Sequence, residues 1–174
     1  MIRTPRGTRS VGRGRASVFA QMPVAAELHL VARVGAERFA FPVAQVEEVI
    51  DAPDVTWVPL APAGLLGQLR YRDRTVSAFD GGWALGVARE GTTGSAVVLS
   101  EGVRRLALVV DDVEDLQMIE PASVRAVPPG ADADGVLRGV CVAGWRGGGL
   151  AGLVWVSALV GRATASESAA GSAG

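Results

Sequence analysis

An internal repeat constrains the fold of this chain more than any other feature of its sequence. Residues 35–49 align without a gap with residues 102–116. The aligned positions that carry identical residues are the pairs Gly35 and Gly102, Arg38 and Arg105, Ala40 and Ala107, Val43 and Val110, Val46 and Val113, and Glu47 and Glu114. Because a solenoid needs at least about three copies, two copies predict a duplicated half-domain.

Each half of the repeat has the pattern of β structure. Short apolar or alternating segments are separated by turn residues such as Gly35, Pro42 and Asp73. The predicted strands are residues 28–34, 38–41, 68–72 and 75–79 in the first half and residues 96–99, 103–110, 113–119, 136–142 and 150–156 in the second. Residues 43–50 allow a short helix of about two turns. The sequence therefore predicts an all-β fold of paired small barrels or a sandwich.

Charge and composition together divide the chain into three segments. Residues 1–21 contain five arginines and no acid, whereas the other residues contain twelve arginines against eighteen acids, which gives +5 and −6. We expect residues 1–21 to be a disordered basic leader, or upstream sequence of a chain whose translation starts at Met22. Residues 22–161 are expected to form the folded domain, and the Ala/Ser/Gly-rich residues 162–174 a disordered tail.

The uncharged stretch that raises the question of a membrane span, residues 147–161, is shorter than the roughly 20 apolar residues of a membrane-spanning helix and opens with three glycines. It is interpreted as a turn, a buried strand and the start of a short helix. Residues 1–21 also lack the apolar region of a secretory signal. We therefore expect a cytoplasmic protein without membrane insertion, and the lone Cys141 fits a reducing compartment.

The composition leaves little material for catalysis. All 17 basic residues are arginine, and the sequence has one histidine, His29, and one cysteine. This excludes lysine chemistry, an intrachain disulfide and a zinc site with several Cys or His ligands. His29 alternates with Leu28 and Leu30, so it is predicted to face solvent or to be a hydrogen-bonded strand residue. We expect neither an enzyme nor a cofactor.

Two groups of charged residues have functional interpretations. The acidic run from Asp111 to Asp115 could bind a divalent cation, but it lacks the glycine of a calcium loop, so a solvated turn and strand face is favoured and no metal is expected. Glu48 ends an apolar segment, and Arg72 lies at the predicted turn between two strands. If these two side chains meet, they form a charge pair that fixes the turn or presents it to a partner.

Several motifs, in their order and spacing, resemble the CheW-like domains of bacterial chemosensory arrays over residues 27–161. They are Val31-x-x-Val34-Gly35, Val46-x-Glu48-Val49, Val58-Pro59, and Leu108-Val-Val-Asp111-x-Val113. Between them, Gly67 and residues 71–80 resemble the family signature Gly-x-x-Asn-Leu-Arg-Gly-x-x-x-Pro-Val-x-Asp. Asp73 stands where that signature has a turn glycine, Ser77 where it has a proline, and Trp155 departs from the acidic residue of a closing motif.

The resemblance implies two similar five-stranded SH3-like β-barrel subdomains around a shared hydrophobic core. It also implies a non-catalytic adaptor that couples the cytoplasmic tip of a chemoreceptor to the regulatory domain of a CheA-type histidine kinase. Such an adaptor is recruited to membrane-associated receptor arrays. The residues that match positions associated with partner binding are Val46, Glu48, Gly67, Arg72 and Asp111.

Other functions remain open from the sequence alone. A divergent member of this family can serve a pathway that controls surface motility or gene expression instead of flagella. A different class is a small β-barrel nucleic-acid-binding protein that uses the arginine-rich leader, although the acidic body argues against nucleic acid as a partner. A small enzyme would need a ligand-filled cavity with a perturbed carboxylate.

Overall fold

The computed structural model describes residues 25–91, 93–132, 134–142 and 148–171. The first half contains strands β1 (Glu27–Val34), β2 (Glu37–Pro42), β3 (Val46–Asp51), β4 (Val55–Thr56), β5 (Leu65–Tyr71) and β6 (Arg74–Asp80), followed by helix α1 (Gly81–Leu85). The second half contains β7 (Ser95–Glu101), β8 (Arg104–Val110), β9 (Asp112–Ile119), β10 (Val124–Arg125), β11 (Leu137–Val142) and β12 (Leu150–Val154), followed by helix α2 (Val156–Gly171). Val43–Gln45 and Pro121–Ser123 form short 3-10 turns, the first between β2 and β3 and the second between β9 and β10.

The two halves exchange strands. Sheet A has the order β10-β11-β12-β2-β1-β9, and sheet B has the order β4-β5-β6-β8-β7-β3. Replacing each first-half strand by its second-half counterpart converts one order into the other. Each sheet therefore takes a hairpin from one half and four strands from the other. This confirms the duplicated plan and the two-subdomain fold, although each sheet has six strands where five were expected.

The pairing details are also duplicated. The parallel contacts are β12 with β2 in sheet A and β6 with β8 in sheet B. Both β1–β2 and β7–β8 turn at a left-handed glycine, Gly35 and Gly102. The register of β5–β6 shifts at Gly67, and the register of β11–β12 shifts at Gly139. Equal bulges at equal places show that the duplication extends to local backbone geometry.

The buried apolar residues form one shared core and a smaller core for each sheet. The shared core joins both halves and includes Phe39, Phe79 and Leu108. Sheet B closes over a cluster around Leu69 and Tyr71. Sheet A closes over a smaller cluster of six buried residues, which are Val31, Ala40, Ile119, Cys141, Ala151 and Leu153.

Two sequence predictions of secondary structure are wrong. Residues 43–50 form a 3-10 turn and strand β3 instead of a helix, because β-branched residues such as Val49 and Ile50 pair along β7. Residues 162–171, expected in a disordered tail, belong to α2. This helix places Leu159, Val160 and Ala163 in the shared core, and that burial offsets the weak local preference of an Ala/Ser/Gly-rich segment.

The remaining domain expectations fall partly outside the described residues. The basic leader, residues 1–21, and the last residues of the tail, 172–174, lie outside the part of the chain that the structure describes. Within the described part, no helix is both long enough and apolar enough to cross a membrane.

Candidate partner-binding site

Glu48 and Arg72 meet at a seam, which is the place where the two sides of sheet B approach each other. Glu48 lies on β3 at one end of the sheet order, and Arg72 lies in the turn between β5 and β6 near the other end. Their side chains nevertheless meet, with Arg72 Nη2 3.6 Å from Glu48 Oε2. The sheet is therefore curled until its two sides approach. Because both side chains are largely exposed, the ion pair marks the seam more than it stabilises it.

Glu47 and Tyr71 lie beside this seam. Arg105 Nε donates to both carboxylate oxygens of Glu47, at 2.8 and 3.0 Å, and lowers the pKa of that carboxyl. The Tyr71 hydroxyl is buried and has no hydrogen-bond partner within the described part of the chain. Burial raises the pKa of Tyr71, with the Glu47 carboxylate adding to the effect and the Arg72 charge opposing it. The Arg72 guanidinium lies 4.8 Å from the centre of the Tyr71 ring.

The Arg105–Glu47 pair has a counterpart in the other half. Arg38 Nε donates to Glu114 Oε2 at 2.6 Å. In both pairs an arginine of one half binds a glutamate of the other, so the two contacts hold the exchanged strands together. Sequence reasoning recorded these four residues as repeat identities, and Glu114 also as a member of the acidic run, but not as ion pairs. The signal that could have found the pairs is the duplication of opposite charges at equal spacing.

Arg72 adopts a left-handed backbone conformation, with φ of 53°. It is the first residue of a two-residue turn, a place that Gly35 and Gly102 occupy in the β1–β2 and β7–β8 hairpins. In this turn the left-handed residue is Arg72 and not Asp73, which stands where the family signature has a glycine. The strained backbone fixes the direction in which the arginine side chain leaves the turn.

Gly67 shapes the backbone of β5 and offers no side chain to a partner. Its φ is 153°, and a Cβ at this position would collide with the carbonyl oxygen of Thr56 on β4. Val46 begins β3 and packs against the shared core. Both residues therefore support the strands that lead to the Glu48–Arg72 pair.

The structure places Asp111 away from the other four predicted residues. Its carboxylate accepts hydrogen bonds from the Gly35 amide at 2.6 Å and from Arg89 Nε at 2.8 Å. Arg89 also donates to Asp80 at 2.7 Å, and its side chain is 1% exposed. Asp80 ends strand β6, which begins two residues after Arg72, so Asp111 lies at the opposite end of that strand from Arg72. Asp111 joins the two halves at the opposite end of sheet B.

The acidic run is therefore only partly solvated, which corrects the sequence interpretation. Asp111 and Glu114 are held by arginines, whereas Asp112 and Asp115 are exposed. No group of three or more His, Cys, Asp or Glu side chains within the described residues is arranged to hold a metal ion. His29 is buried, so the solvent-facing alternative is wrong, and the hydrogen-bonded alternative is confirmed by its contacts with Glu27 and Arg138.

Sequence reasoning missed an apolar strip at the edge of sheet A. The strip consists of Leu28, Leu116 and Met118, which are 37%, 55% and 60% exposed. Leu28 pairs with Met118, and Leu116 pairs with Leu30, which is buried in the shared core. Since directly paired residues share a face, the strip lies on the face of sheet A that carries the shared core. It extends that core to the surface at the edge strand β9.

Two comparisons with known proteins find matches. The profile of the CheW-like domain family matches residues 28–163. Among solved structures, the chain is similar to the scaffolding protein TtCheW from Thermoanaerobacter tengcongensis, with a TM-score of 0.65 and 17% sequence identity over 74% of this chain and 88% of that one. A search of curated protein sequences finds no match.

Proposed function

Because the chain belongs to the CheW-like domain family, we propose that it is a non-catalytic adaptor that couples chemoreceptors to a CheA-type histidine kinase. The family and its fold support a scaffold role in chemotaxis. We further propose that the protein works in the cytoplasm at receptor arrays. Its partners would be the cytoplasmic tip of a receptor and the regulatory domain of the kinase.

The observation that carries this proposal is the apolar strip of Leu28, Leu116 and Met118. A receptor tip of two antiparallel helices presents apolar residues at helical spacing, and an exposed apolar surface can receive such a helix face. The strip is continuous with the shared core, so a docked helix would bury the strip residues against side chains that are already packed. Exposed apolar groups that add nothing to folding are typical of interaction sites.

The seam is proposed as a second contact surface. Glu48 and Arg72 present opposite charges at an exposed edge, and Val46 and Gly67 set the backbone that carries them. Asp111 contributes to this role indirectly, by fixing the far end of the same sheet through Arg89. Charged groups in such a rim position act on specificity and association rate more than on affinity.

The experiment mixes the full chain with a receptor signalling tip and the kinase regulatory domain and measures complex formation by analytical ultracentrifugation. We expect a ternary complex with the wild-type chain. Leu116→Glu places a charge in the apolar strip and is expected to weaken receptor binding at least about tenfold. The matched control is Leu60→Glu, because Leu60 is 96% exposed and lies in the β4–β5 loop of the other sheet.

Two outcomes would contradict the proposal at different levels. If the wild-type chain retains neither partner, the coupling role is wrong. If Leu116→Glu and Leu60→Glu affect receptor binding equally, the adaptor role stands but the apolar strip is not the receptor site. Circular dichroism of each variant checks that a loss of binding is not a loss of fold.

A further inference from the structure

We propose that the open end of the sheet A subdomain binds a small organic monocarboxylate with an apolar body. A cavity of about 350 Å³ opens there. Its walls are apolar at Ile119, Val124 and Leu153, and its polar groups come from Glu27, His29 and Arg138. A mostly apolar cavity of this size, with a few convergent polar groups, is typical of small-molecule sites.

The polar groups of the cavity are joined by consecutive hydrogen bonds. His29 Nδ1 lies 2.9 Å from the backbone carbonyl oxygen of Glu27, and since a carbonyl only accepts, Nδ1 carries the proton. His29 Nε2 is then an acceptor, and it receives a hydrogen bond from Arg138 Nη2 at 3.1 Å. The same Nη2 donates to Glu27 Oε2 at 2.8 Å. His29 is therefore a positioning residue, whose buried ring fixes the direction of the Arg138 guanidinium.

Arg138 retains donors for a ligand. Within the described part of the chain, its two side-chain hydrogen bonds both use Nη2, which leaves Nη1 and Nε without a protein acceptor. The planar guanidinium matches the geometry of a carboxylate, which it can bind through two parallel N–H groups. The charges of Glu27 and Arg138 already cancel, so a bound monocarboxylate leaves the site with one unbalanced negative charge and a dicarboxylate leaves it with two. This favours a monocarboxylate over a dicarboxylate.

Comparison with sheet B shows that the fold itself does not require this polar group. The repeat aligns His29 with Ala96, which is fully buried in the apolar core of sheet B. The bulge glycines Gly67 and Gly139 align Arg138 with Leu66, which packs against the same core. Sheet B therefore closes with apolar side chains where sheet A carries an imidazole and a guanidinium. A buried histidine and a half-exposed arginine that stability does not demand are a candidate binding site.

Three probes of equal chain length separate charge from apolar contact. The isotope-labelled full chain is titrated with hexanoate, hexan-1-ol and hexylammonium, and binding is followed by NMR at the Ile119, Val124 and Leu153 methyl groups. We expect saturable shifts with millimolar hexanoate. Hexan-1-ol is expected to bind at least about tenfold more weakly and hexylammonium not at all, because neither can accept the charge-assisted hydrogen bonds of the guanidinium as a carboxylate does.

Substitutions assign the effect to Arg138. Arg138→Gln is expected to weaken hexanoate binding at least about tenfold. Arg138→Lys keeps the charge but loses the two parallel N–H donors, so it is expected to weaken binding less. The matched control is Arg125→Gln on β10, because the side-chain hydrogen bonds of Arg125 go to backbone carbonyls near its own position. That variant is expected to bind hexanoate like the wild type.

Three results would overturn the proposal. One is the absence of saturable shifts with hexanoate in the folded wild-type chain. Another is equal binding of hexan-1-ol, which would make the cavity a general apolar void. The last is an equal loss in Arg138→Gln and Arg125→Gln, which would indicate diffuse attraction by arginine. None of these results depends on the receptor or kinase partners, so the test is independent of the proposed adaptor role.

Discussion

The two halves of this protein are alike in the ion pairs that join them and different in the helices that follow their last strands. The duplicated ion pairs, Arg38 with Glu114 and Arg105 with Glu47, connect strands of opposite halves. The contacts that join the two halves are therefore the same in both, since a change in one half would need a matching change in the other half.

The helices that follow β6 and β12 show the opposite behaviour. Asp80 caps α1 by accepting from the Trp83 amide, and the helix stops after five residues at the left-handed Gly86. At the equivalent point, Trp155 precedes a helix of 16 residues that supplies part of the shared core. One half thus ends in a charged network around Arg89, and the other ends in a long packed helix. This difference can be tested with variants placed in one half only.

The largest effect is expected from the charged network that only the first half has. In Arg89→Ala, Asp80 and Asp111 lose the cation that holds them together in a partly buried place. We expect a loss of about 3–5 kcal/mol in the free energy of unfolding, measured by urea denaturation. The loss is large because the remaining carboxylates are left without a buried counterion.

Arg33→Ala is the matched control for that variant. Arg33 also approaches Asp111, at 3.9 Å, but its side chain is 39% exposed. We expect this change to cost less than about 1 kcal/mol. Equal losses in both variants would show that the Arg89 network is no more important than an ordinary surface pair.

A smaller effect is expected at the duplicated bulges, where the two halves can be compared residue for residue. Gly67→Ala forces a Cβ against the Thr56 backbone at a φ that favours glycine, so we expect a loss of about 2 kcal/mol. At Gly139 the φ is not in the left-handed region, and the nearest atom is a Val124 methyl that can move. Gly139→Ala is expected to cost about half as much.

Thermal unfolding of the two alanine variants measures this difference. If the order is reversed, the bulge at Gly67 is more tolerant than its geometry indicates, and Gly67 would then be a contact residue instead of a backbone residue. A coupling defect in Gly67→Ala without any loss of stability would give the same conclusion.

The sequence predicted the duplicated β fold because identical residues at equal spacing are visible in one chain. It did not predict the exchange of strands, since a repeat shows that two halves are alike but not which half pairs with which. The helix predicted over residues 43–50 failed for a related reason. Apolar spacing at Val43, Val46 and Val49 fits a helix locally, and only pairing with β7 decides for a strand.

The candidate site was predictable to a similar degree. The sequence singled out Glu48 and Arg72 but left open whether they meet, and the curl of sheet B brings them together. The strip residues Leu116 and Met118 were missed because an alternating strand does not reveal whether its apolar face is covered. That information depends on β9 being an edge strand, which is a property of the whole sheet.

The smallest effect is expected from His29, which titrates in sheet A at a position where sheet B has Ala96. Burial lowers the pKa of His29 from its ordinary value of 6.5, against the opposite effect of Glu27, while the Arg138 charge lowers it further. The folded state therefore favours the neutral ring. Stability from this site is present above pH 6.5 and is lost as the pH falls through 6.5 towards the lowered value.

The measurement is the unfolding temperature of the wild type and of His29→Gln between about pH 7.5 and about pH 5. Glutamine keeps an amide near Glu27 and Arg138 but does not titrate. We expect the wild type to lose more stability than the variant over this range, because only the wild type must protonate a buried ring that already faces the Arg138 guanidinium. Parallel profiles would mean that the asymmetry between Ala96 and His29 has no consequence for folding, and that the polar end of sheet A is open enough for His29 to protonate freely.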